Sequence, residues 1–474
     1  MTQEAPITFF TKQRRIYPRR VWGRYRKLKW VSMVTLLAIY YLTPWLRWDR
    51  GPHAPDQAIL IDMPGRRGYF FGLEIWPQEV YYLAGILILA AVGLFFVTSL
   101  FGRVWCGYAC PQTVWTDLFV WVERIVQGDR NARMKLDQSP LTFEKLWKKG
   151  LTHAVWLAIG LVTGGAWVFY FNDAPTLFDQ IRHFDVPWSV GGWIVALTGS
   201  TYLMAGYARE QVCTYMCPYA RFQSAMFDKD TLIISYDKDR GEPRSHHKAG
   251  ESWEGRGHCI DCNSCVVVCP MGIDIRNGLQ MECIACGLCV DACNNVMDKV
   301  GLPQGLIRYD TEKNYEARLS APPPLGGGRL KLIRPRTVYY TVILAAVGGL
   351  MLLGLLTRTS LELSVMHDRN PLFVQLSDGH IRNTYTIKIL NKTHDDRIYA
   401  LSVQGLPDAA LRIEAAGAVE PEHIPVFADN VGEFRVMISA LPDPAAPRRD
   451  LDFIVQDIQS HEAYTHRSIF VSGN

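Results

Sequence analysis

The 474-residue sequence predicts a polytopic α-helical membrane protein. A small cysteine-rich domain lies between its spans, and an immunoglobulin-like β-sandwich ends the chain. Three observations lead there. Five long stretches contain no Lys, Arg, Asp or Glu. Eight cysteines form two matched runs between residues 259 and 293. Beyond residue 360, short alternating apolar and polar runs replace the long apolar ones.

The apolar stretches are 30–46, 80–101, 151–171, 188–208 and 337–357. A membrane span needs about 20 such residues. Aromatic residues stand at their edges, among them Trp30, Trp45, Tyr81, Tyr82, Tyr339 and Tyr340, where amphipathic rings favour the interface. Mean hydropathy near zero hides this pattern, because charged segments alternate with the spans. The net charge is only +4, and no basic patch with interleaved aromatics points to nucleic acid. The N-terminus is polar and basic, unlike a cleavable signal peptide.

Lys and Arg set the orientation. They crowd the N-terminal segment 1–29, the loop after the second span and the segment before the fifth, including Arg329 and Arg334. The 172–187 loop has only Arg182, although the 47–79 loop carries four arginines. The N-terminus is therefore expected in the cytoplasm, and five spans put the C-terminus in the periplasm of a bacterial inner membrane. All twelve cysteines lie between residues 106 and 293, on the reducing side, where thiolates stay free for metals.

The runs read Cys259-x-x-Cys262-x-x-Cys265-x-x-x-Cys269-Pro270 and Cys283-x-x-Cys286-x-x-Cys289-x-x-x-Cys293. Three cysteines at this spacing wrap three corners of a 4Fe-4S cubane, and the fourth thiolate comes from the other run. Cys259, Cys262, Cys265 and Cys293 are thus expected on cluster 1. Cys269, Cys283, Cys286 and Cys289 are expected on cluster 2. Asn294 follows Cys293 where a proline is usual. Structural zinc uses Cys-x-x-Cys pairs, but seldom two triplets each trailed by a fourth Cys. This region, 229–301, reads as a bacterial ferredoxin-like domain for two 4Fe-4S clusters.

A second thiol pattern repeats. Cys106-x-x-x-Cys110-Pro111 follows the second span and Cys213-x-x-x-Cys217-Pro218 follows the fourth. Spans one–two and three–four, within a four-span domain at 30–228, form a parallel repeat. Residues four apart share a helix face, so each pair is expected to aim two sulfurs at one point. The proline suits the first position of a new helix, with Cys110 or Cys217 as its N-cap, where the thiol pKa falls. Residues 112–126 read as that helix, with an apolar stripe of Val114, Leu118, Val122, Ile125 and Val126 for the membrane interface. Four readings stand for these cysteines: copper, which soft thiolates favour as Cu(I); a dithiol–disulfide couple; a further cluster; or helix-end packing. Met216, between Cys213 and Cys217, is read as packing, with a soft copper ligand as the alternative. His153 is the only histidine within a span. It lacks the partner that bis-histidine haem requires and is read as a packing or interfacial residue. His246, His247 and His258 are read as solvent-exposed.

Residues 302–336 contain Pro322-Pro323-Pro324 and Gly326-Gly327-Gly328, which is linker chemistry. The fifth span at 337–357 leads to the sandwich at 360–474. Its strands include Tyr385–Leu390 and Glu433–Ile438, with seven or more runs at β spacing. Asn391-Lys392-Thr393 matches a glycosylation acceptor and is read as incidental.

Taken together, the two Cys-x-x-x-Cys-Pro motifs, the Cys259–Pro270 run, Gly278–Cys283 and the outer sandwich resemble the FixG/RdxA (CcoG) family of cytochrome c oxidase accessory proteins. The resemblance covers nearly the whole chain. It implies a role in maturing a cbb-type oxidase and reduction of Cu(II) to Cu(I) on the cytoplasmic side. Implied partners are oxidase subunits and a copper transporter or chaperone, with a second copy of the chain also a candidate for the outer domain. The residues alone support cytoplasmic electron transfer near soft thiol sites. No nucleotide-binding glycine motif is visible, so the electron donor is a separate protein or a quinol. A quinol-linked conduit and a non-enzymatic assembly scaffold are the competing readings.

Overall fold

A computed structural model describes residues 15–52, 54–248, 250–320, 331–407, 409–414, 418–443 and 446–473. Arg14, Arg329 and the Pro322–Pro324 and Gly326–Gly328 runs lie outside the described residues. The chain divides into two units, Met1–Leu46 with Gln57–Met351, and Arg47–Asp56 with Leu352–Asn474.

The first unit opens with α1 (Arg24–Leu42), followed by a 3-10 turn at Thr43–Trp45 and a three-stranded antiparallel sheet, β1 (Ile59–Asp62), β2 (Arg67–Phe70) and β3 (Leu73–Ile75). This sheet sits in the 47–79 loop, where no strand was expected. Arg67 lies over the Trp76 ring at 3.9 Å and pairs with Glu74 at 3.1 Å. One arginine that weakened the charge asymmetry thus packs the hairpin.

Then come α2 (Tyr81–Phe101), α3 (Val104–Tyr108), α4 (Pro111–Gln127), α5 (Arg130–Gln138), α6 (Phe143–Val168), α7 (Ala174–Arg182) and α8 (Trp188–Thr201). Beyond α8 the backbone continues as π-helix through Tyr202–Ala208, with a second π turn at Val212–Met216 before α9 (Pro218–Ala225). Among the described residues, three helices are long and apolar enough to cross a membrane: Pro77–Phe101, Phe143–Val168 and Pro335–Leu356. The last contains α14. The other two expected spans differ from a simple helix. α1 begins inside the basic segment, so the expected boundary at residue 29 falls within a helix. Its Arg26 and Lys29 are buried against Asp117 of α4, at 2.9 and 3.9 Å. α8 is only 14 residues long before its π continuation. A π turn inside a helix commonly marks a functional site.

The cysteine-rich region holds β4 (Ile233–Tyr236), α10 (Lys238–Gly241), α11 (Ser264–Val267), α12 (Leu288–Lys299), β5 (Ile307–Asp310) and α13 (Glu312–Ser320). β4 and β5 pair antiparallel, with Ile233 opposite Asp310. The domain therefore extends past residue 301, because its sheet is closed by a strand from the expected linker. Ile234, Tyr236, Met297, Leu306 and Ile307 are buried together with Cys259 and Cys265.

After α14 (Pro335–Leu356), the second unit is a two-sheet antiparallel sandwich. Its strands are β6 (Leu361–His367), β7 (Val374–Gln375), β8 (Ile381–Asn391), β9 (Arg397–Gln404), β10 (Ala410–Glu414), β11 (Ala418–Val419), β12 (Ile424–Val426), β13 (Asn430–Ala440), β14 (Arg448–Asp457) and β15 (Ala463–Val471). One sheet runs β11-β10-β13-β8-β6 with β7 on β8; the other runs β12-β9-β14-β15. Alternation buries Tyr385, Ile387 and Ile389 of β8 against Phe453 and Val455 of β14, as period-two strands require. Tyr385 and Phe453 meet edge to face across the sandwich at 5.0 Å. Asn391 of the apparent glycosylation motif is fully buried. Its Nδ2 donates to the carbonyl oxygens of Asp395 and Phe427 at 2.8 and 3.1 Å, so it holds a turn.

Candidate metal centre

The cluster loops share one backbone trace. In the first, Asp261 and Asn263 flank Cys262 with φ of 51° and 54°; in the second, Ala285 and Gly287 flank Cys286 with φ of 50° and 73°. Left-handed residues at matched places curl each loop around a common point, and such turns gather backbone N–H groups toward an anionic centre. Both loops then run into short helices, α11 and α12.

The structure gathers the eight thiols into two sets. Cys259, Cys262, Cys265 and Cys293 line one cavity of about 350 Å³, with Ile260, Val296 and Leu306 among its walls. Cys269, Cys283, Cys286 and Cys289 line a second of about 350 Å³, with Ile234, Ile273 and Ile275. Cys265 touches both cavities. Burial pushes the Cys293 thiol up to about 12, and Cys265, Cys259 and Cys262 add to the shift. Burial likewise pushes Cys269 up to about 12, with Cys286 and Cys283 contributing. Cys293 and Cys269 thus each feel members of their expected sets. Four soft donors in a largely apolar wall fit a 4Fe-4S cubane.

Arg276 pins the first loop. Its guanidinium donates to Asp261 Oδ1 at 2.5 Å, Asn263 Oδ1 at 2.6 Å and Asp274 Oδ2 at 2.7 Å. Sequence reading passed over it, since a lone arginine in a loop carries no pattern. Cys262 is exposed, so the first cavity lies near the surface. Two of the three loop histidines are not free. His247 stacks on Trp253 at 4.0 Å, and Arg240 Nε donates to His258 Nδ1 at 2.8 Å. Trp253 lies between the two histidines, edge-on to His258 at 6.0 Å.

The repeated Cys-x-x-x-Cys-Pro motifs are turns between helices. α3 ends at Tyr108, and Cys110 is extended (φ −61°, ψ 127°) as the N-cap of α4, with Pro111 at its first position. Cys217 is also extended (φ −80°, ψ 109°), and α9 starts at Pro218. The two cysteines of each pair therefore do not share a helix face, because the helix stops before the second. Nor does Cys110 make a side-chain capping hydrogen bond. The chain turns into each motif through a left-handed residue four places before the first Cys, Gly102 at φ 60° and Arg209 at φ 38°. Of the stripe expected at the membrane interface, α4 buries Val114 and Val122 inside the protein and exposes Ile125, while Asp117 and Glu123 are also buried.

The four thiols nevertheless act on one another. Burial pushes Cys106 up to about 11; Cys110 and Cys217 add to this and Arg103 opposes it. Burial pushes Cys213 up to about 12, with Cys110, Cys106 and Cys217 contributing. The Cys106 thiol donates to Gln223 Oε1 at 3.0 Å, and Arg103 Nη2 reaches Cys106 Sγ at 3.9 Å. Met216 is exposed.

Motif and cluster loop are packed together. Cys106 shares a buried apolar group with Val268, Ile284, Cys286 and Leu288. Arg103 also donates to the Met281 carbonyl oxygen. A methyl group on Gly107 would lie 2.7 Å from the Ile284 carbonyl oxygen, so only glycine permits this approach. Another cavity is lined by Cys213, Pro270, Ile284 and Leu288. Both motifs therefore border the second cluster cavity.

Known proteins match along the chain. A family model described as a 4Fe-4S dicluster domain covers residues 208–312, and one described as a 4Fe-4S binding domain covers 83–128. An "IG-like fold at C-terminal of FixG" covers 351–473. The nitrogen fixation protein FixG of Rhizobium meliloti is 47% identical, over 97% of this chain and 93% of that protein. Protein RdxA of Cereibacter sphaeroides is 49% identical, over 90% and 89%. The crystal structure of a FixG-related protein from Vibrio parahaemolyticus aligns over 25% of this chain and all of that one, at 27% identity and a TM-score of 0.22.

Proposed function

The chain belongs to the FixG/RdxA family, and from that premise we propose that this iron–sulfur membrane protein is a cupric reductase serving the assembly of a cbb-type cytochrome c oxidase. The observation that carries the reading is the contact between the thiol motifs and the second cluster cavity: Cys106 and Cys286 share one buried group. A soft-thiol site built against an electron carrier suits a one-electron metal reduction.

In this reading Cys259, Cys262, Cys265 and Cys293 ligate one cluster, and Cys269, Cys283, Cys286 and Cys289 the other. When bound, these clusters supply single electrons. Cys106, Cys110, Cys213 and Cys217 hold copper as substrate. Arg103 orients Cys106 and offsets the repulsion among the gathered thiolates. Burial of Cys106 excludes water, and sulfur ligands favour the Cu(I) product. Copper(II) takes up one electron and leaves as copper(I) for a transporter or chaperone. Five spans, with α1 and the α8–π segment completing the three long apolar helices, put the N-terminus and clusters in the cytoplasm. The sandwich then lies in the periplasm, facing oxidase subunits, the transporter or a second copy.

A second reading has its own support. The 4Fe-4S binding model at 83–128 spans Cys106 and Cys110, which supports reading the four motif thiols as a third cluster site. Iron analysis separates the two: about eight iron atoms per chain fit two cubanes and about twelve fit three. For the reductase itself, cluster-loaded and cluster-free protein are given the same reductant and Cu(II). Equal Cu(I) yields from both sink the proposal.

A further inference from the structure

His153 takes no part in the copper and cluster sites proposed above, yet it lines a cavity of about 300 Å³ between α4, α6 and the π-helical stretch at Tyr202–Ala208. We infer that this cavity binds a lipid-soluble hydroquinone that supplies the electrons; the inference rests on the reductase reading, which needs a donor.

Three independent features converge there. The first is shape. The buried Trp156 ring and Tyr207, which is 55% exposed at the rim, are both cavity walls. The His153 ring lies edge-on to Trp156 at 5.2 Å and stacked with Tyr207 at 5.9 Å. The remaining walls carry charged groups, among them Glu123, Lys149 and Arg209, so the cavity offers aromatic faces for a flat ring and polar partners for its oxygens.

The second is proton chemistry. His153 Nδ1 lies 3.0 Å from the Tyr202 hydroxyl, which lies 3.3 Å from the Tyr207 hydroxyl. With Nδ1–H donating to Tyr202 and Tyr202 donating to Tyr207, the Nε2 lone pair is left to accept a proton. Nε2 has no hydrogen-bond partner among the described residues. The hydrogen bond to Nδ1 holds the ring's orientation.

The third is continuity. Arg209 and Glu210 line this cavity and also the adjoining one, which reaches Cys213 and Pro270 beside Cys269. The turn at Arg209 and Glu210, just after the π stretch, therefore stands between the slot and the cavity that borders the second cluster site.

The step balances. A hydroquinone loses two O–H hydrogens as two protons and two electrons and becomes a quinone. The clusters that the eight loop thiols would hold would take these electrons one at a time, with two copper(II) ions as the final acceptors. His153 Nε2 takes the first proton. The second goes to water at the mouth, where Arg15, Asp137 and Lys149 stand.

The test uses the cluster-loaded protein in lipid nanodiscs and a photoactivatable azidoquinone. Crosslinks are expected within residues 143–168 and 202–216 and should disappear when decylubiquinone competes. His153→Ala should cut that competed labelling about tenfold, the loss of one hydrogen bond to the ligand. Tyr202→Phe should cut it less. Iron content and bleaching by dithionite should stay at wild-type level in both, which excludes misfolding. Labelling elsewhere, or competed labelling unchanged in His153→Ala, overturns the inference. Cu(II) oxidation of dithionite-reduced protein is followed in parallel. If it fails while labelling persists, the reductase reading falls and the hydroquinone site stands.

Discussion

The Tyr108 hydroxyl donates to the carbonyl oxygen of Cys286 at 3.0 Å. Residues 178 positions apart are thereby fixed within one buried contact, with Cys106 on one side and a cluster-loop cysteine on the other. Tyr309 donates to the neighbouring Ala285 carbonyl oxygen at 2.6 Å. The loop is thus held by the membrane-side helix α3 and by the domain's own strand β5. The proposed electron transfer between the sites would run through that contact.

Gly107→Ala should loosen it. The added methyl would stand 2.7 Å from a backbone oxygen, and forcing bulk into such a contact costs about 1–3 kcal/mol. We expect lower thermal stability and slower oxidation of reduced protein by Cu(II), with iron content kept. Wild-type rates in a stable Gly107→Ala protein would show that the contact is not the route.

Cys293→Ser and Cys259→Ser should abolish the same cluster signal in electron paramagnetic resonance, because both residues line the first cavity. Cys269→Ser and Cys289→Ser should abolish the other. If Cys293→Ser matches Cys289→Ser instead, ligation follows the chain order and the crossed sets are wrong.

Glu123 is buried among arginines, with Arg209 at 2.6 Å, Arg133 at 2.8 Å and Arg15 at 3.2 Å. Arg209→Gln leaves that carboxylate under-compensated, and breaking such a pair costs about 3–5 kcal/mol. Burial alone would raise the carboxyl's pKa, yet the arginines hold it below the ordinary Glu range. The stability it contributes is therefore complete above about pH 4.3, the unfolded value, and is lost as pH falls through the lower folded value. Thermal melts from pH 7 to pH 5 should show no loss from this group. A Glu123-dependent loss in that window would mean the carboxyl is not depressed.

Asp291 of α12 accepts from the backbone N–H groups of Tyr25 and Arg26 at 3.2 and 2.7 Å, so it caps α1 from the cluster domain. Asp291→Ala should cost about 1–2 kcal/mol, as other cap removals do. It should also hasten tryptic cleavage at Arg19 and Arg20. Unchanged cleavage would show that the N-terminal strap is held by its other contacts, such as Arg19 N–H to the Val267 carbonyl oxygen at 2.8 Å.

The chemistry of this chain was legible because it depends on short spacings. The eight cluster thiols, the two Cys-x-x-x-Cys-Pro turns and the alternation in β8 and β13 are local patterns. Long-range pairings were hidden. β5 reads as linker because only β4, some 70 residues earlier, makes it a strand. Arg103, Arg276 and Tyr108 act through contacts with residues distant in sequence or at irregular offsets. The π turns escaped because 188–208 has the same apolar composition as an uninterrupted span. His247 was assigned to solvent because the stacking of Trp253 depends on a loop closing over itself.

The most direct test reduces the protein anaerobically, removes excess reductant, and mixes it with Cu(II) and a Cu(I)-specific chelator in a stopped-flow cell. Cluster bleaching and Cu(I) chelate are recorded together for wild type and for Cys106→Ser/Cys213→Ser. The reductase account predicts cluster oxidation in step with Cu(I) formation in the wild type, and loss of both in a double variant that keeps its iron. Clusters that stay reduced beside Cu(II), or a double variant that reacts at the wild-type rate, would contradict it.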